Sequence, residues 1–158
     1  PGQYRNVIPN FIYWAMKGQP LPITGDGKMT RDFTYVEDIV DALMRAGIRE
    51  EAIGQEMNIA SATETEIVEM ANTVNQLTGN KAGLSFTDRR KWDTKSRLLA
   101  SIDRAKELLG YDPKTDFTTG LGKTIRWFEE NWEAIQKDAE FPPGMSSAVK
   151  NYVLKQEK

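Results

Sequence analysis

The sequence predicts a mixed α/β fold in which helices dominate and the strands are short. Two observations lead to this prediction. Several long runs repeat apolar residues every three or four positions, which is the period of a helix with one buried face. Between them stand short apolar, aromatic or β-branched runs close to glycine, such as Leu21–Thr24 and Ala82–Phe86, which favour strands. Short strands interleaved with helices are typical of the α/β and α+β classes.

Composition limits the chemistry that this chain can perform. Its 158 residues are enough for about one domain with a sizeable core. The sequence contains no cysteine and no histidine, which excludes disulfides, thiol nucleophiles, imidazole or thiolate metal ligands and Ser-His-Asp chemistry. A net charge of −2 gives no general attraction to nucleic acid or anionic membranes, so any phosphate must be bound locally. No run reaches the ~20 apolar residues of a membrane span and no signal peptide is visible, so we expect a cytoplasmic protein.

The first helix is predicted over Val7–Lys17. Pro9 suits its first turn, where the missing N–H costs nothing, and Gly18 suits its end. Asn6 stands where an N-cap residue belongs, but the free N–H groups of a helix start also attract anions, and the two roles are compatible. No structural element precedes the turn at Pro1–Arg5, and we interpret it as the cut end of a longer polypeptide.

A tight turn is predicted at Gly25–Gly27, because glycine adopts positive φ without steric cost. We expect this turn to join two strands as a β-hairpin, the second strand being Arg31–Val36. Arg31 would then stand at the exit of the hairpin, where its guanidinium could hold a phosphate through two hydrogen bonds. The alternative is a solvated arginine or a structural ion pair with Asp32 or Asp26.

The helix that follows is predicted to begin at Val36 and to end near Arg49. Its apolar residues recur at helical spacing, which predicts that they form its buried face. They are Val36, Ile39, Val40, Leu43 and Met44.

A short strand is predicted at Met57–Ala60, followed by a helix with Thr65 as a candidate N-cap and Gly79 at its end. The predicted buried face of this helix consists of Ile67, Val68, Ala71, Val74 and Leu77. A shorter helix is predicted to begin at Asp103 and to end in a left-handed cap at Gly110.

The last long helix is predicted over Phe117–Glu133, with Thr118 or Thr119 as its cap. Its apolar residues follow an amphipathic spacing, and Trp127 is a candidate to broaden the same buried face. The residues of that face are Leu121, Ile125, Phe128 and Trp132.

The segment Pro22–Leu43, PITGDGKMTRDFTYVEDIVDAL, resembles the G-D-G-x-x-x-R-D-F-x-Y-V-x-D segment of the NAD-dependent nucleotide-sugar epimerases and dehydratases. These enzymes are extended short-chain dehydrogenases/reductases of Rossmann type. Further motifs follow in the family's order, so the resemblance extends from Pro1 to about Trp132. It implies that this chain is the helix-rich, substrate-binding portion of such an enzyme, with short strands.

The resemblance also implies which residues bind the substrate. The residues matching Arg31 and Arg90 contact the diphosphate in the family, the residue matching Asn6 adds hydrogen bonds to it, and the residue matching Asp93 accepts from the ribose. The implied substrate-binding residues in this sequence are Asn6, Val7, Pro22, Thr24, Arg31, Thr63, Arg90 and Asp93. Pro22 to Thr24 would lie against the base, and Thr63 would be a further base-side contact.

One loop departs from the family pattern. Between Arg90 and Asp93 the family has Pro-Gly, whereas this sequence has Lys91 and Trp92. The shape of the loop therefore differs from the pattern, and Arg89 could take the place of Arg90.

The resemblance further implies that part of the enzyme lies outside this sequence. The family's catalytic Tyr-x-x-x-Lys pair and the Gly-rich turn that binds NAD are assigned to an N-terminal half. We therefore expect no catalytic, cofactor-binding or metal-binding residue in this chain, and we expect NAD to be bound by the absent half. Residues 1–136 would form the nucleotide-sugar-binding portion, and residues 137–158 a linker and tail.

The expected function is that of the substrate-binding part of a UDP-sugar 4-epimerase-like enzyme, inactive by itself. A 4,6-dehydratase or decarboxylase fragment is the alternative within the family, and a stand-alone nucleotide-binding or interaction module is the alternative outside it. The expected partners are the nucleotide-diphosphate sugar, the NAD-binding half and a second copy of this chain. A second copy is expected because a lone copy would leave a sheet edge or a helix face open.

Overall fold

The computed structural model describes residues 6–89 and 95–138, and it confirms the mixed α/β prediction. The elements alternate between helices and short strands along the chain. In order they are α1 Val7–Met16, β1 Leu21–Thr24, β2 Thr30–Asp32, α2 Val36–Ile48, a 3₁₀ turn Glu50–Ala52, β3 Glu64–Glu66, α3 Ile67–Thr78, β4 Leu84–Thr87, α4 Asp103–Leu109, α5 Phe117–Glu130 and α6 Trp132–Asp138. None of the helices among these residues is both long and apolar enough to cross a bilayer.

The chain divides into two compact units. The first unit contains α1, β1, β4, α6, nearly all of α3 and most of α5, and the second unit contains β2, α2, β3 and α4. In the first unit β1 pairs in parallel with β4, so that Leu21 lies opposite Leu84 and Ile23 opposite Phe86. Leu21 and Ile23 are fully buried there. The remaining core of the first unit comes from its helices, through Ile12, Met70, Val74, Leu121, Ile125 and Phe128.

The predicted β-hairpin is wrong. β1 pairs with β4, while β2 pairs antiparallel with β3. Both glycines of the predicted turn do adopt positive φ, +68° at Gly25 and +72° at Gly27. The Gly27 carbonyl, however, accepts a hydrogen bond from the Val68 N–H at 3.0 Å, and a Cβ on Gly27 would lie 2.8 Å from Ile23 Cγ2. The turn therefore docks against the start of α3 instead of folding β2 back onto β1.

The second unit is built around Tyr111, which is 1% exposed. Its hydroxyl donates a hydrogen bond to the Ala60 carbonyl at 2.9 Å. Burial, together with nearby aspartates of which Asp38 is the strongest, raises the pKa of Tyr111 to about 12, so the hydroxyl keeps its proton at neutral pH. The buried residues packed with Tyr111 are Ala42, Ala60, Ile102, Ala105 and Leu109.

The helix α2 forms as predicted, but four of the five residues of its predicted buried face are exposed, and the fifth, Ile39, is half-buried. The exposed fractions of Val36 and Met44 are 62% and 67%, and Val40 and Leu43 are also more than half exposed. The buried residues of α2 are Asp38 and Ala42. The Asp38 carboxylate accepts backbone hydrogen bonds from the loop after α4, from Lys114 at 2.9 Å and Thr115 at 3.2 Å. The polar side of α2 faces inward because these loop N–H groups need an acceptor.

One predicted strand and one predicted helix cap are not found in the structure. Met57–Ala60 forms no strand, because it has no pairing strand within the described residues. Thr65 does not cap a helix: it lies buried in β3, and α3 begins at Ile67. The helix ends that depend on glycine are confirmed, since Gly79 and Gly110 adopt φ of +70° and +60°.

The predicted buried faces of α3 and α5, and the predicted cap of α5, also differ from the structure. Leu77 and Trp127 are 40% and 54% exposed, so neither belongs to a buried face. Trp132 lies in a separate helix, α6. The start of α5 is capped by Asp116, whose carboxylate accepts hydrogen bonds from the Thr119 N–H at 3.0 Å and from its hydroxyl at 2.6 Å. Thr119 is thus the donor in this cap.

Two glycines of α5 provide a matched pair of substitutions. A Cβ on Gly120 would lie 3.1 to 3.3 Å from Cδ2, Cβ and Cγ of Tyr35, whereas a Cβ on Gly122 would meet nothing within 4 Å. We expect Gly120→Ala to lower the free energy of unfolding by about 1–3 kcal/mol through overpacking. We expect Gly122→Ala to raise it by about 0.5–1 kcal/mol through helix propensity. Urea unfolding of both variants checks this, and equal stabilisation by the two alanines would contradict the contact with Tyr35.

Candidate functional site

Arg31 occupies the middle of β2, where it pairs with Thr65 of β3. The Arg31 side chain is half-buried, and its Nη1 donates a hydrogen bond to the Thr30 carbonyl at 2.7 Å. The Asp32 carboxylate accepts hydrogen bonds from Ser61, Ala62 and Ala100. The guanidinium is therefore held close to its own strand, and a strand in a ladder fixes the position of its residues.

Thr63 directly precedes β3, the strand that pairs with β2. The Thr63 N–H donates to Ser61 Oγ at 3.2 Å, and its hydroxyl donates to the Ser61 carbonyl at 3.4 Å. Between them Ala62 has φ of +55°, the left-handed region that side chains other than glycine rarely adopt. The turn Ser61–Thr63 thus presents an exposed Thr63 at the end of the β2–β3 ribbon that carries Arg31.

An ion pair that the sequence did not predict, between Glu64 of β3 and Arg97, stabilises the β2–β3 pair. Arg97 donates through Nε and Nη2 to the two carboxylate oxygens of Glu64, each at 2.8 Å. The Thr30 hydroxyl donates to Glu64 Oε1 at 2.7 Å. These hydrogen bonds lower the pKa of Glu64 to about 2, with that from Arg97 the larger cause. Glu64 is therefore ionised at neutral pH and secures Thr30, the neighbour of Arg31.

Asn6 and Val7 lie at the start of α1 in the first unit. Asn6 has the extended backbone of an N-cap residue, and its carbonyl accepts from the Asn10 N–H at 3.4 Å. Its exposed side chain, however, makes no capping hydrogen bond. The N-cap prediction is therefore correct for the backbone of Asn6 and wrong for its side chain. Val7 is the first residue of α1 and is half-buried.

Pro22 and Thr24 lie on the half-buried side of β1, alternating with fully buried neighbours. In the parallel register Pro22 lies opposite Ser85, and Thr24 lies opposite Thr87. Residues in register share one face of a sheet, so the hydroxyl side chains of Thr24, Ser85 and Thr87 lie on one face together with Pro22. Ser85 and Thr87 were missed by the sequence reasoning, although the alternation of Leu84-Ser85-Phe86-Thr87 gives the signal.

The loop after β4 is described only in part. Arg89 is exposed, and a Cβ on Gly25 would lie 3.5 Å from the Arg89 Cβ. Arg90 and Asp93 lie outside the described residues. The structure thus places Arg31 and Thr63 on or beside the β2–β3 pair, and Pro22 and Thr24 on the β1–β4 pair. Binding of a single ligand by all eight predicted residues stays a prediction.

The spacing Tyr-x-x-x-Lys of the family's catalytic pair also occurs once in this sequence, from Tyr13 to Lys17. Both residues contact the same indole. The Tyr13 and Trp132 rings are 5.3 Å apart between centroids, and Lys17 Nζ lies 5.7 Å from the Trp132 centroid. These contacts give the pair a packing role in the first unit, through a tilted ring–ring contact and a cation–π interaction.

We expect NAD to be bound outside this chain, and we expect no metal-binding residue within it. Gly25–Gly27 leads from β1 into β2, so it does not open a helix as a dinucleotide-binding turn does. Within residues 6–89 and 95–138, no group of three or more acidic, cysteine or histidine residues is arranged to hold a metal ion.

Comparison with known proteins identifies the family. A family model described as GDP-mannose 4,6 dehydratase matches residues 3–124. The UDP-N-acetyl-α-D-glucosaminuronate decarboxylase of Bacillus cytotoxicus is 35% identical over 134 residues, which are 82% of this chain and 41% of the relative. UDP-glucuronic acid decarboxylase 1 of Xenopus tropicalis is 32% identical over 144 residues, which are 91% of this chain and 34% of the relative. This chain therefore belongs to the NAD-dependent nucleotide-sugar epimerase and dehydratase family.

Solved structures agree with the family and the fold. An epimerase from the methanogen Methanothermobacter thermautotrophicus is 60% identical with a TM-score of 0.85, and the match covers 89% of this chain and 42% of that one. The WbmF enzyme of Bordetella bronchiseptica, solved with NAD⁺ and UDP, is 37% identical with a TM-score of 0.70, covering 84% and 39%. The UDP-glucose 4-epimerase of Thermotoga maritima, solved with UDP-glucose, is 26% identical with a TM-score of 0.75, covering 83% and 42%. This chain thus spans less than half the length of these relatives.

The Glu64–Arg97 pair predicts a specific acid dependence. Because the folded-state pKa of Glu64 is lowered from 4.5 to about 2, its stabilising effect is complete above pH 4.5 and is lost as the pH falls through 2. We expect Glu64→Gln to be less stable than wild type at neutral pH, with the difference shrinking between these two pH values. Thermal unfolding at several pH values measures it.

The matched control for this acid dependence is Arg97→Met, which leaves the carboxylate but removes its main partner. An NMR titration of the Glu64 carboxyl in this variant should show its pKa raised towards the ordinary value. An unchanged pKa would show that Arg97 is not the cause.

Proposed function

We propose that this chain is the substrate-binding portion of an NAD-dependent nucleotide-sugar enzyme of the UDP-sugar 4-epimerase type. The observation that carries the proposal is the position of Arg31, a cation fixed in the middle of a paired strand by a hydrogen bond to the Thr30 carbonyl. A guanidinium is suited to bidentate hydrogen bonding with phosphate oxygens. Relatives solved with UDP or UDP-glucose support a uridine diphosphate as the ligand.

In this proposal each site residue has a defined role. Arg31 and Arg90 neutralise the diphosphate, each charge-assisted contact contributing about 1.5–3 kcal/mol. Asn6, whose side chain is not used for capping, donates further hydrogen bonds to it, with Val7 beside it at the helix start. Asp93 accepts from the ribose hydroxyls.

Three residues are assigned to the nucleoside in this proposal. Pro22 and Thr24 on β1 lie against the base, and Thr63 adds a base-side contact. Binding energy from the nucleotide then positions the sugar ring for the reaction, although the nucleotide itself does not react.

The cofactor and the acid–base residues belong, in this proposal, to a portion outside this sequence. NAD supplies the hydride chemistry when it is bound there. The Tyr13–Lys17 pair is not assigned a catalytic role, because both side chains contact Trp132. This chain by itself is therefore proposed to be inactive. A cytoplasmic location stays a prediction.

We further propose that the NAD-binding portion covers the exposed face of α2. Four apolar residues one or two turns apart, Val36, Val40, Leu43 and Met44, are each more than half exposed, and Ile48 continues the stripe at 83%. Such an apolar stripe is typical of a surface buried by a partner. The match covers only 42% of each of two related structures, so those proteins contain further residues that could cover the α2 face.

In the isolated chain the same face should drive self-association, because residues 6–89 and 95–138 leave it exposed. We expect light scattering to show a mass that rises with protein concentration, and the double variant Leu43→Glu, Met44→Glu to shift it to the monomer. Arg126→Glu, an exposed substitution on α5, is the control that should leave the mass unchanged. A monodisperse wild-type monomer would refute the prediction.

A second candidate within the family is a nucleotide-sugar decarboxylase. The decarboxylases of Bacillus cytotoxicus and Xenopus tropicalis, at 35% and 32% identity, favour it. Both candidates use the same diphosphate site and differ in the chemistry of the sugar ring. Comparing the affinities for UDP-glucose and UDP-glucuronate would separate a neutral-sugar site from an acidic-sugar site.

The nucleotide-binding proposal is tested by titrating UDP, dTDP and ADP into the chain with calorimetric detection. Arg31→Ala should weaken UDP binding about 10- to 100-fold, the loss expected for a charge-assisted contact of about 1.5–3 kcal/mol. Arg126→Ala, an exposed arginine on α5, should bind like wild type. No nucleotide-dependent heat in wild type would favour the interaction-module alternative and overturn the proposal.

A further inference from the structure

The Asp32 carboxylate, beside Arg31 in β2, accepts four hydrogen bonds. Its Oδ1 accepts from the Ser61 N–H at 3.0 Å and from the Ser61 hydroxyl at 2.6 Å. Its Oδ2 accepts from the N–H of Ala62 at 3.1 Å and, at the longer distance of 3.4 Å, from that of Ala100. One side chain of β2 thus gathers four donors from two separate segments of the second unit.

The hydrogen bonds continue from Asp32 to Thr63. The Ser61 hydroxyl donates to Asp32 and accepts from the Thr63 N–H at 3.2 Å, so it links the two residues. Between them Ala62 has φ of +55°, a conformation that costs free energy for alanine but not for glycine. A strained turn persists only where its surroundings hold it in place. Here the Asp32 carboxylate holds it through hydrogen bonds to both Ser61 and Ala62.

Asp32 also neighbours Arg31 in the strand. Successive side chains of a strand point to opposite faces, so Asp32 can secure the turn without occupying the face of Arg31. The strand β2 therefore fixes the cation directly and fixes Thr63 through the carboxylate.

We infer that Asp32 is a positioning residue for the nucleotide site: it sets the conformation of the turn Ser61–Thr63 and so the place of Thr63 relative to Arg31. This inference rests on the proposed function, since it assigns Thr63 to the nucleoside. Asp32 itself touches no ligand in this account. Its effect on binding passes through Ser61 and Ala62.

The test is Asp32→Asn, which preserves shape but replaces one acceptor oxygen by an NH₂ donor. The new NH₂ group would face groups that donate to Asp32, either the Ser61 hydroxyl or the N–H groups of Ala62 and Ala100. A donor cannot accept these hydrogen bonds, so some of them would be lost. We expect UDP affinity to fall about tenfold and amide hydrogen exchange at Ser61 and Ala62 to accelerate. Asp112→Asn, at an exposed aspartate paired with Lys114, is the control and should change neither.

A second substitution separates positioning from direct contact. Glycine adopts the backbone of Ala62 without strain, so Asp32→Asn, Ala62→Gly should recover part of the lost UDP affinity. Ser61→Ala keeps the carboxylate but cuts its link to Thr63, and it should weaken UDP binding in the same direction. Thermal unfolding of each variant shows whether the fold itself is intact.

The outcomes distinguish this inference from the proposed function. Wild-type UDP affinity in Asp32→Asn, despite faster exchange at Ser61 and Ala62, overturns the positioning role alone. A loss of affinity that Ala62→Gly does not relieve also overturns it, since the carboxylate would then act on the ligand or on the whole fold. No UDP binding by the wild-type chain overturns the proposed function, and the positioning role with it.

Discussion

Loop N–H groups that lack a helix or strand partner need an acceptor, and in the second unit two aspartates provide it. Asp32 accepts from the segments around Ser61 and Ala100, while Asp38 accepts from the loop after α4 at Lys114 and Thr115. Each carboxylate therefore joins its own strand or helix to segments that are distant in sequence, through charge-assisted hydrogen bonds. Both belong to the R-D-F-x-Y-V-x-D motif. The motif therefore encodes the local architecture of the second unit as well as the cation Arg31.

The same arrangement explains how a binding site can be built from such short strands. A three-residue strand with one partner has few hydrogen bonds, and alone it would place Arg31 poorly. The ribbon is reinforced at its sides by the Glu64–Arg97 pair with Thr30 and by the carboxylate of Asp32. Side-chain hydrogen bonds thus supply the rigidity that a longer ladder would otherwise give. Under the proposed function this rigidity matters, because a cation that binds a diphosphate loses affinity if it has to be ordered on binding.

The helix α2 has two faces of different chemistry. Its inward side is small and polar, Ala42 and Asp38, and packs within the second unit. Its outward side is apolar from Val36 to Ile48 and lies exposed. In a chain that spans less than half the length of its relatives, an apolar outward face fits a helix that lies between two parts of a larger molecule. Substrate binding and partner binding would then share one short region, since Arg31 and Val36 are close in sequence.

The sequence by itself determined the features that depend on neighbouring residues. Gly79 and Gly110 end their helices because glycine adopts positive φ, and the family motif around Arg31 identified the family. Tertiary structure decided what depends on distant residues. Pairing of β1 with β4 cannot be seen in the Gly25–Gly27 turn, because the partner strand lies far along the chain. The inward side of α2 could not be predicted from apolar spacing, because the N–H groups of Lys114 and Thr115 that Asp38 accepts from lie far along the chain. The hydrogen bonds of Asp32 to Ser61 and Ala100 depend likewise on residues that only the fold brings together.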